Sequence, residues 1–224
     1  DVYKRQIQAC PNGKDALIII REFNPDLVIS DIMMPEMSGD ELCSAIKGDL
    51  EMSHIPVVLL TAQGDEKNML EGLEIGADAY ITKPFSVGIL KATIKNLLAN
   101  RALLRQVYNS IEEEEHNFPV NCTNTLDWKF IASVKECIEK NMGDPDFNVE
   151  MLSSRHHMSR TSFFNKLKVL TGYAPADYIR LIRLQHAAQL LKQGEYTIAE
   201  ITDMVGFSDA KYFREVFKKY YGVS

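Results

Sequence analysis

Apolar positions in the first hundred residues form short continuous runs, separated by stretches with helical spacing. Leu27, Val28 and Ile29 lead from a Pro-Asp turn to Asp31, and Ile-Pro-Val-Val-Leu-Leu-Thr-Ala at 55–62 is a longer run of the same kind. Runs that are apolar on both faces suit strands buried in a parallel sheet. Two more strands are predicted, at 7–10 before Pro11-Asn12-Gly13 and at 79–82 before Lys83-Pro84-Phe85. Helical spacing fills the gaps: residues 14–23, where Ala16, Leu17, Ile20 and Phe23 share a face, then 39–46 and 65–75. Strands alternating with helices of about ten residues dictate right-handed βαβ units.

A helix over 87–111 is longer than sheet cover requires. Leu90, Ile94, Leu97, Leu104 and Ile111 fit a heptad seam with Arg101 and Tyr108 at intervening places. That seam offers a short coiled-coil homodimer, while docking on the sheet explains its first half equally well. Glu112 to Glu115 and the polar residues after them read as a solvated linker. From Leu126 onward strand signals vanish, and helices are predicted at 127–142, 149–157, 160–171, 175–193, 198–205 and 209–221. This half repeats itself. Phe147-Asn-Val-Glu-Met-Leu precedes Met158-Ser159-Arg-Thr-Ser-Phe-Phe164, Lys168 and Gly172. Tyr196-Thr-Ile-Ala-Glu-Ile precedes Phe207-Ser208-Asp-Ala-Lys-Tyr-Phe213, Lys218 and Gly222. The offset is 49 as far as Phe164 and Phe213, and 50 from Lys168 onward. Two similar helix-turn-helix units joined by a long helix are expected.

Charge sharpens the division. The net charge is −6, but residues 1–126 carry 11 basic against 19 acidic side chains and residues 127–224 carry 14 against 12. The small basic excess would not by itself predict DNA binding. No apolar run approaches the roughly 18 residues that span a bilayer. Four scattered cysteines without a Cys-x-x-Cys pair suit a reduced, cytoplasmic setting.

Three polar residues stand at successive strand ends: Asp31, Thr61 and Lys83. Such ends lie side by side in a parallel sheet, where ligands gather. An aspartate attacking phosphorus needs neutralisation of the surrounding oxygens, which a lysine and a hydroxyl can supply. A divalent cation with a preference for oxygen, Mg²⁺, would be shared by Asp31 and the phosphate. A strand-end Asp alone is more often a cap, and a strand-end Thr or Lys a surface group. Together, over residues 7–100, these residues resemble the receiver domain of two-component response regulators. That resemblance implies an α/β flavodoxin-like fold. Asp31 becomes the phospho-acceptor, Thr61 the switch hydroxyl and Lys83 the phosphate-contacting lysine. Tyr80 becomes the aromatic switch, and the backbone carbonyl of Met33 a metal ligand. It also implies a cis bond between Lys83 and Pro84. The family's first strand, with its acidic pair, and its first helix are missing here, and in the order 2-1-3-4-5 that strand is central. The chain therefore reads as a fragment with an incomplete Mg²⁺ site, expected to bind Mg²⁺ and accept phosphate poorly. Met33, Met34 and Met37 are otherwise expected to pack in their loop.

The run from Ile198 to Lys219, Ile-Ala-Glu-Ile-Thr-Asp-Met-Val-Gly-Phe-Ser-Asp-Ala-Lys-Tyr-Phe-Arg-Glu-Val-Phe-Lys-Lys, resembles the AraC-type DNA-binding domain. In such a fold the second helix of each unit enters a major groove. These helices are expected to start after Ser159 and Ser208 as N-caps. Exposed candidates for DNA contact are Arg160, Ser162, Asn165 and Lys166 on the first, and Asp209, Lys211, Arg214 and Lys218 on the second. Phe164, Leu167, Phe213 and Phe217 are expected in the core, and His156 and His157 on a helix surface.

The organisation expected is a receiver over 1–100 lacking its first strand and helix, a helical extension and acidic linker over 101–126, and an all-α AraC-type domain over 127–224. The function implied is a non-enzymatic DNA-binding response regulator, phosphorylated on Asp31 by a histidine kinase, with double-stranded DNA and RNA polymerase as partners and no membrane contact. An aspartyl-phosphate hydrolase would carry a second Asp two residues on, where Met33 stands. The alternatives are a phosphorylation-independent AraC-type factor with a degenerate receiver, and the C-terminal part of a hybrid histidine kinase.

Overall fold

The computed structural model describes residues 6–62, 75–107, 122 and 124–222. They fall into two compact units, the described residues up to 107 with 122 and 124–128, and residues 129–222.

The first unit runs α1 (Gly13–Phe23), β1 (Val28–Asp31), α2 (Gly39–Gly48), β2 (Val57–Thr61), β3 (Ala79–Thr82) and α3 (Val87–Val107). The three strands are parallel in the order β1-β2-β3, with Asp31 beside Leu60 and Thr61 beside Thr82. This register brings the carboxyl ends of all three strands to one edge. Beneath them Leu42, Cys43 and Ile46 of α2 pack on Ile55, Val57 and Leu59, all at 1% exposure or less. A buried ion pair closes the entrance to β2. Lys47 Nζ donates to Asp78 Oδ2 at 2.7 Å and to the Ile55 carbonyl at 2.9 Å, while the Val57 N–H donates to Asp78 at 2.8 Å.

Residues 7–10 do not form the predicted strand, and Ile7 is 86% exposed. A strand must exchange backbone hydrogen bonds with a neighbour, and the sheet among the described residues holds only β1, β2 and β3. Met34 and Met37 pack against the core as expected, whereas the Met33 side chain points into solvent. The helix predicted over 65–75 lies outside the described residues apart from Ile75. So do Tyr108, Ile111 and the linker from Glu112.

Beyond residue 124 every described element is a helix: α4 (Thr125–Lys140), α5 (Val149–Arg155), α6 (Arg160–Thr171), α7 (Pro175–Gln193), α8 (Ile198–Met204) and α9 (Ala210–Tyr221). Pro175 opens α7 where its missing N–H costs nothing. Nine of the nineteen residues of α7, among them Tyr178, Leu184 and Ala187, are buried, as befits the helix on which two others pack. Phe163 and Leu167 anchor α6. Ile201, Val205, Phe207 and Phe213 form the core under α8 and α9 with Leu184, Ala187 and Leu190 of α7.

Candidate phosphoryl site and nucleic-acid interface

Asp31 ends β1, and its position is set by how tightly the chain returns to it. The Gly39 N–H donates to the Ile32 carbonyl at 2.9 Å. A Cβ at Gly39 would lie 2.2 Å from the Asp31 carbonyl oxygen. Only glycine lets the start of α2 pass so close to the strand end. A capping box then starts α2, Ser38 accepting from the Glu41 N–H and Glu41 from the Ser38 N–H.

The Lys83 ammonium donates to Asp31 Oδ2, and the Met33 N–H donates to Oδ1 at 3.2 Å. Lys83 is placed by its own N–H, which donates to the Thr61 carbonyl at 2.7 Å, and its bond to Pro84 is cis. The Lys83 contact, against the opposing effect of burial, holds the Asp31 carboxyl below the usual carboxylate range. Asp31 is therefore ionised at neutral pH and can act as a nucleophile. Thr61 is 3% exposed, and its hydroxyl donates to the Ala62 carbonyl at 3.3 Å rather than to Asp31. Tyr80 is half-buried, its hydroxyl sheltered without a hydrogen-bond partner among the described residues, and burial pushes the phenol up to about 12. The structure thus joins Asp31 and Lys83 directly, and sets Thr61 and Tyr80 on the neighbouring strands with their hydroxyls engaged elsewhere or unpaired.

These residues do not by themselves fit a divalent cation. Among the described residues no group of three or more His, Cys, Asp or Glu side chains could hold a metal. Of the two Asp31 oxygens, one faces the Lys83 ammonium and the other accepts from the Met33 N–H.

In the second unit α6 begins as expected: Ser159 Oγ accepts from the Ser162 N–H at 3.0 Å. The second helix of the other unit does not begin at Ser208. Asp209 is its N-cap, Oδ1 accepting from the Tyr212 N–H at 2.6 Å. This moves the extra residue of the second repeat. The short helices α5 and α8 are 49 residues apart, as are His157 and Gly206, which hold the left-handed turn at φ 54 and 69. The caps Ser159 and Asp209 are already 50 apart, and so are Gly172 and Gly222. The insertion lies in the turn, not within the helix. Buried Phe163 therefore corresponds to buried Phe213, and Phe164 to Arg214.

Exposure follows from that register. Arg160, Lys211, Arg214 and Lys218 are exposed, as expected. Ser162 and Asn165 are half-buried, and Ser162 accepts from Ser159 Oγ at 2.9 Å. Asp209 is exposed, but its carboxylate is spent on the cap. Lys166 is a correction. It is 0% exposed, its ammonium 5.0 Å from the Phe130 ring centre. An aromatic face can hold a cation whose stem lies in the core, so Lys166 is not on a DNA-facing surface. Phe164 is the reverse case, 38% exposed instead of buried. His156 is likewise not on the surface. It stacks on Phe163 at 5.8 Å and meets Phe130 edge-on at 5.7 Å, and burial lowers its pKa.

A side chain of α7 ties the turn before α9 to the loop between α4 and α5. Arg183, 8% exposed, donates from Nη1 to the Gly206 carbonyl at 3.0 Å and from Nη2 to the Asp144 carbonyl. A Cβ at Gly206 would lie 2.4 Å from the Met142 carbonyl oxygen and 2.9 Å from Arg183. This arginine carries no motif beyond its helical position, which is why sequence reasoning passed over it.

Residues 2–95 match the response regulator receiver domain, and residues 152–224 match a helix-turn-helix domain. The chain is 43% identical over 209 residues to histidine kinase P4 of Formosa agariphila, across 93% of this chain and 15% of that protein. It is 46% identical over 87 residues to the phosphate regulon transcriptional regulatory protein PhoB of Pseudomonas aeruginosa, across 39% of this chain and 38% of that one. The chain spans well under two thirds of either relative. Among solved structures, the C-terminal domain of the two-component response regulator yesN from Fusobacterium nucleatum is 30% identical. It covers 43% of this chain and 99% of its own, with a TM-score of 0.40. No helix among the described residues is long and apolar enough to cross a membrane.

Proposed function

We propose that this chain, a response regulator receiver domain joined to an AraC-type helix-turn-helix domain, is a DNA-binding response regulator switched by phosphorylation of Asp31. The observation that carries it is the Asp31 carboxylate at a strand end with the Lys83 ammonium on one of its oxygens. In this reading a histidine kinase delivers the phosphoryl group on a phosphohistidine, and Asp31 Oδ attacks the phosphorus, forming a P–O bond as the P–N bond breaks and the imidazole leaves. Lys83 then moves from the carboxylate to a phosphoryl oxygen, Thr61 donates its hydroxyl to another, and Tyr80 turns as Thr61 moves. Arg160, Asn165, Lys211, Arg214 and Lys218 face DNA, the arginines suited to guanine edges and the lysines to phosphates. Residues 1–100 form the receiver, 101–126 the connection and 127–224 the reader. A cytoplasmic setting, RNA polymerase as a further partner and a homodimer through α3 belong to the same proposal. No catalytic turnover is assigned to this chain.

The test is acetyl-phosphate labelling of the chain and of Asp31→Asn, followed by DNA footprints with and without label. Substoichiometric labelling confined to Asp31, with a changed footprint, is expected. Label no greater than in the Asn variant refutes the phospho-acceptor. A footprint indifferent to labelled Asp31 refutes the switch and leaves a phosphorylation-independent DNA binder.

A second reading places this chain inside a longer protein with its own kinase, favoured by the alignment to 15% of histidine kinase P4. The coding sequence around this segment decides it.

A further inference from the structure

Phe164 is a large apolar side chain, 38% exposed, on the first reader helix. Its setting is not that of an ordinary surface residue. The exposed residues of α6 are Arg160, Thr161, Phe164 and Lys168, which a helix of 3.6 residues per turn gathers on one face. The opposite face, with Phe163, Lys166 and Leu167, is the core. No acidic residue occurs anywhere in α6. Lys168 Nζ lies 5.6 Å from the Phe164 ring centre, so the ring is flanked by cations along its own stripe. The register of the two repeats gives the stripe its meaning, since Phe164 and Lys168 occupy the places that Arg214 and Lys218 hold on α9. One reader carries a guanidinium where the other carries a ring with no donor or acceptor.

A ring between cations suits a polyanion that presents one apolar group at a fixed depth. In the major groove of DNA that group is the 5-methyl of thymine, and phenylalanine is among the side chains that touch it. We propose that Phe164 is a specificity-determining residue that reads a thymine 5-methyl, with Arg160 and Lys168 on the neighbouring phosphates. The two half-sites then differ in chemistry, one read by apolar contact and the other by the Arg214 donors. This inference rests on the DNA-reading function proposed above.

The test selects binding sites from random double-stranded DNA with the full chain, and repeats the selection with Phe164→Ala and Phe164→Leu. Wild type should select a thymine at one position. Phe164→Ala should lose that preference while keeping the rest of the consensus, and Phe164→Leu should retain it. Replacing that thymine by deoxyuridine, which lacks only the methyl, should weaken wild-type binding roughly fourfold and leave Phe164→Ala binding unchanged. An unaltered consensus in Phe164→Ala, or an equal deoxyuridine effect in both proteins, overturns the assignment while DNA reading stands. Failure of wild type to select any consensus overturns DNA reading itself, and this inference with it.

Discussion

Replacing Arg183 by methionine keeps the side-chain stem in α7 but removes the guanidinium. Two carbonyls, at Gly206 in the turn before α9 and at Asp144 after α4, lose their donors. A hydrogen bond from a charged group contributes roughly 1.5–3 kcal/mol, so the two together set an upper limit of about 3–6. Burial of the charge offsets part of this, and among the described residues Arg183 Nε has no hydrogen-bond partner to soften it. A net loss of about 2–4 kcal/mol is expected. Arg183→Lys can reach one carbonyl but not both and should fall near the midpoint. Because the chain holds two units, the cost is best read by native-state hydrogen exchange of peptides from α8 and α9, with β2 as internal reference. Faster exchange in α8 and α9 with β2 unchanged, together with weaker DNA binding, is the expected pattern. Exchange in Arg183→Met within about 0.5 kcal/mol of wild type, a surface-like effect, would show that the guanidinium does not hold the turn.

Three further outcomes follow from the same geometry. Lys83→Met should return the Asp31 carboxyl toward 3.8. Since the pair lowers the folded pKa, its stabilisation is present above the unfolded value and disappears as pH falls through the folded one. The variant should show a flatter acid limb, and a carboxyl titration of Asp31 by NMR that does not move counts against the contact. His156→Phe should remove an acid sensitivity. Below about pH 6.5 the unfolded chain takes up a proton that the buried imidazole resists, so wild-type stability falls with pH there, and exchange in α6 should cease to follow it in the variant. Gly39→Ala, which puts a Cβ 2.2 Å from the Asp31 carbonyl oxygen, should cost roughly 1–3 kcal/mol and depress labelling of Asp31. Wild-type exchange in α2 would refute the close approach.

The helices and central strands were legible because apolar spacing and turn residues agreed along most of the chain. The strand predicted at 7–10 was not, since a local apolar run says nothing about whether a neighbour will receive its backbone bonds. In the candidate phosphoryl site, Asp31, Thr61 and Lys83 were read from their places at strand ends, and Tyr80 only from the family resemblance. That Thr61 turns to Ala62 while Lys83 sits on Asp31 is a matter of rotamers, which the sequence does not carry. On α6 and α9 the errors have two causes. Lys166 was misplaced because a lysine stem can be buried when its head finds an aromatic face. Phe164 was misplaced because a constant offset was carried across a turn that differs by one residue, and one residue on a helix is about 100°.

One consequence of the sheet concerns handling in solution. Among the described residues β1 pairs only with β2, so its outer side presents unpaired amides and carbonyls, with Ile29 41% exposed. Natural proteins guard such an edge with charge, proline or a bulge, and of Val28, Ile29, Ser30 and Asp31 only the last is charged. Self-association of this chain at high concentration is expected to use this four-residue edge, and Ile29→Lys should reduce it in light scattering.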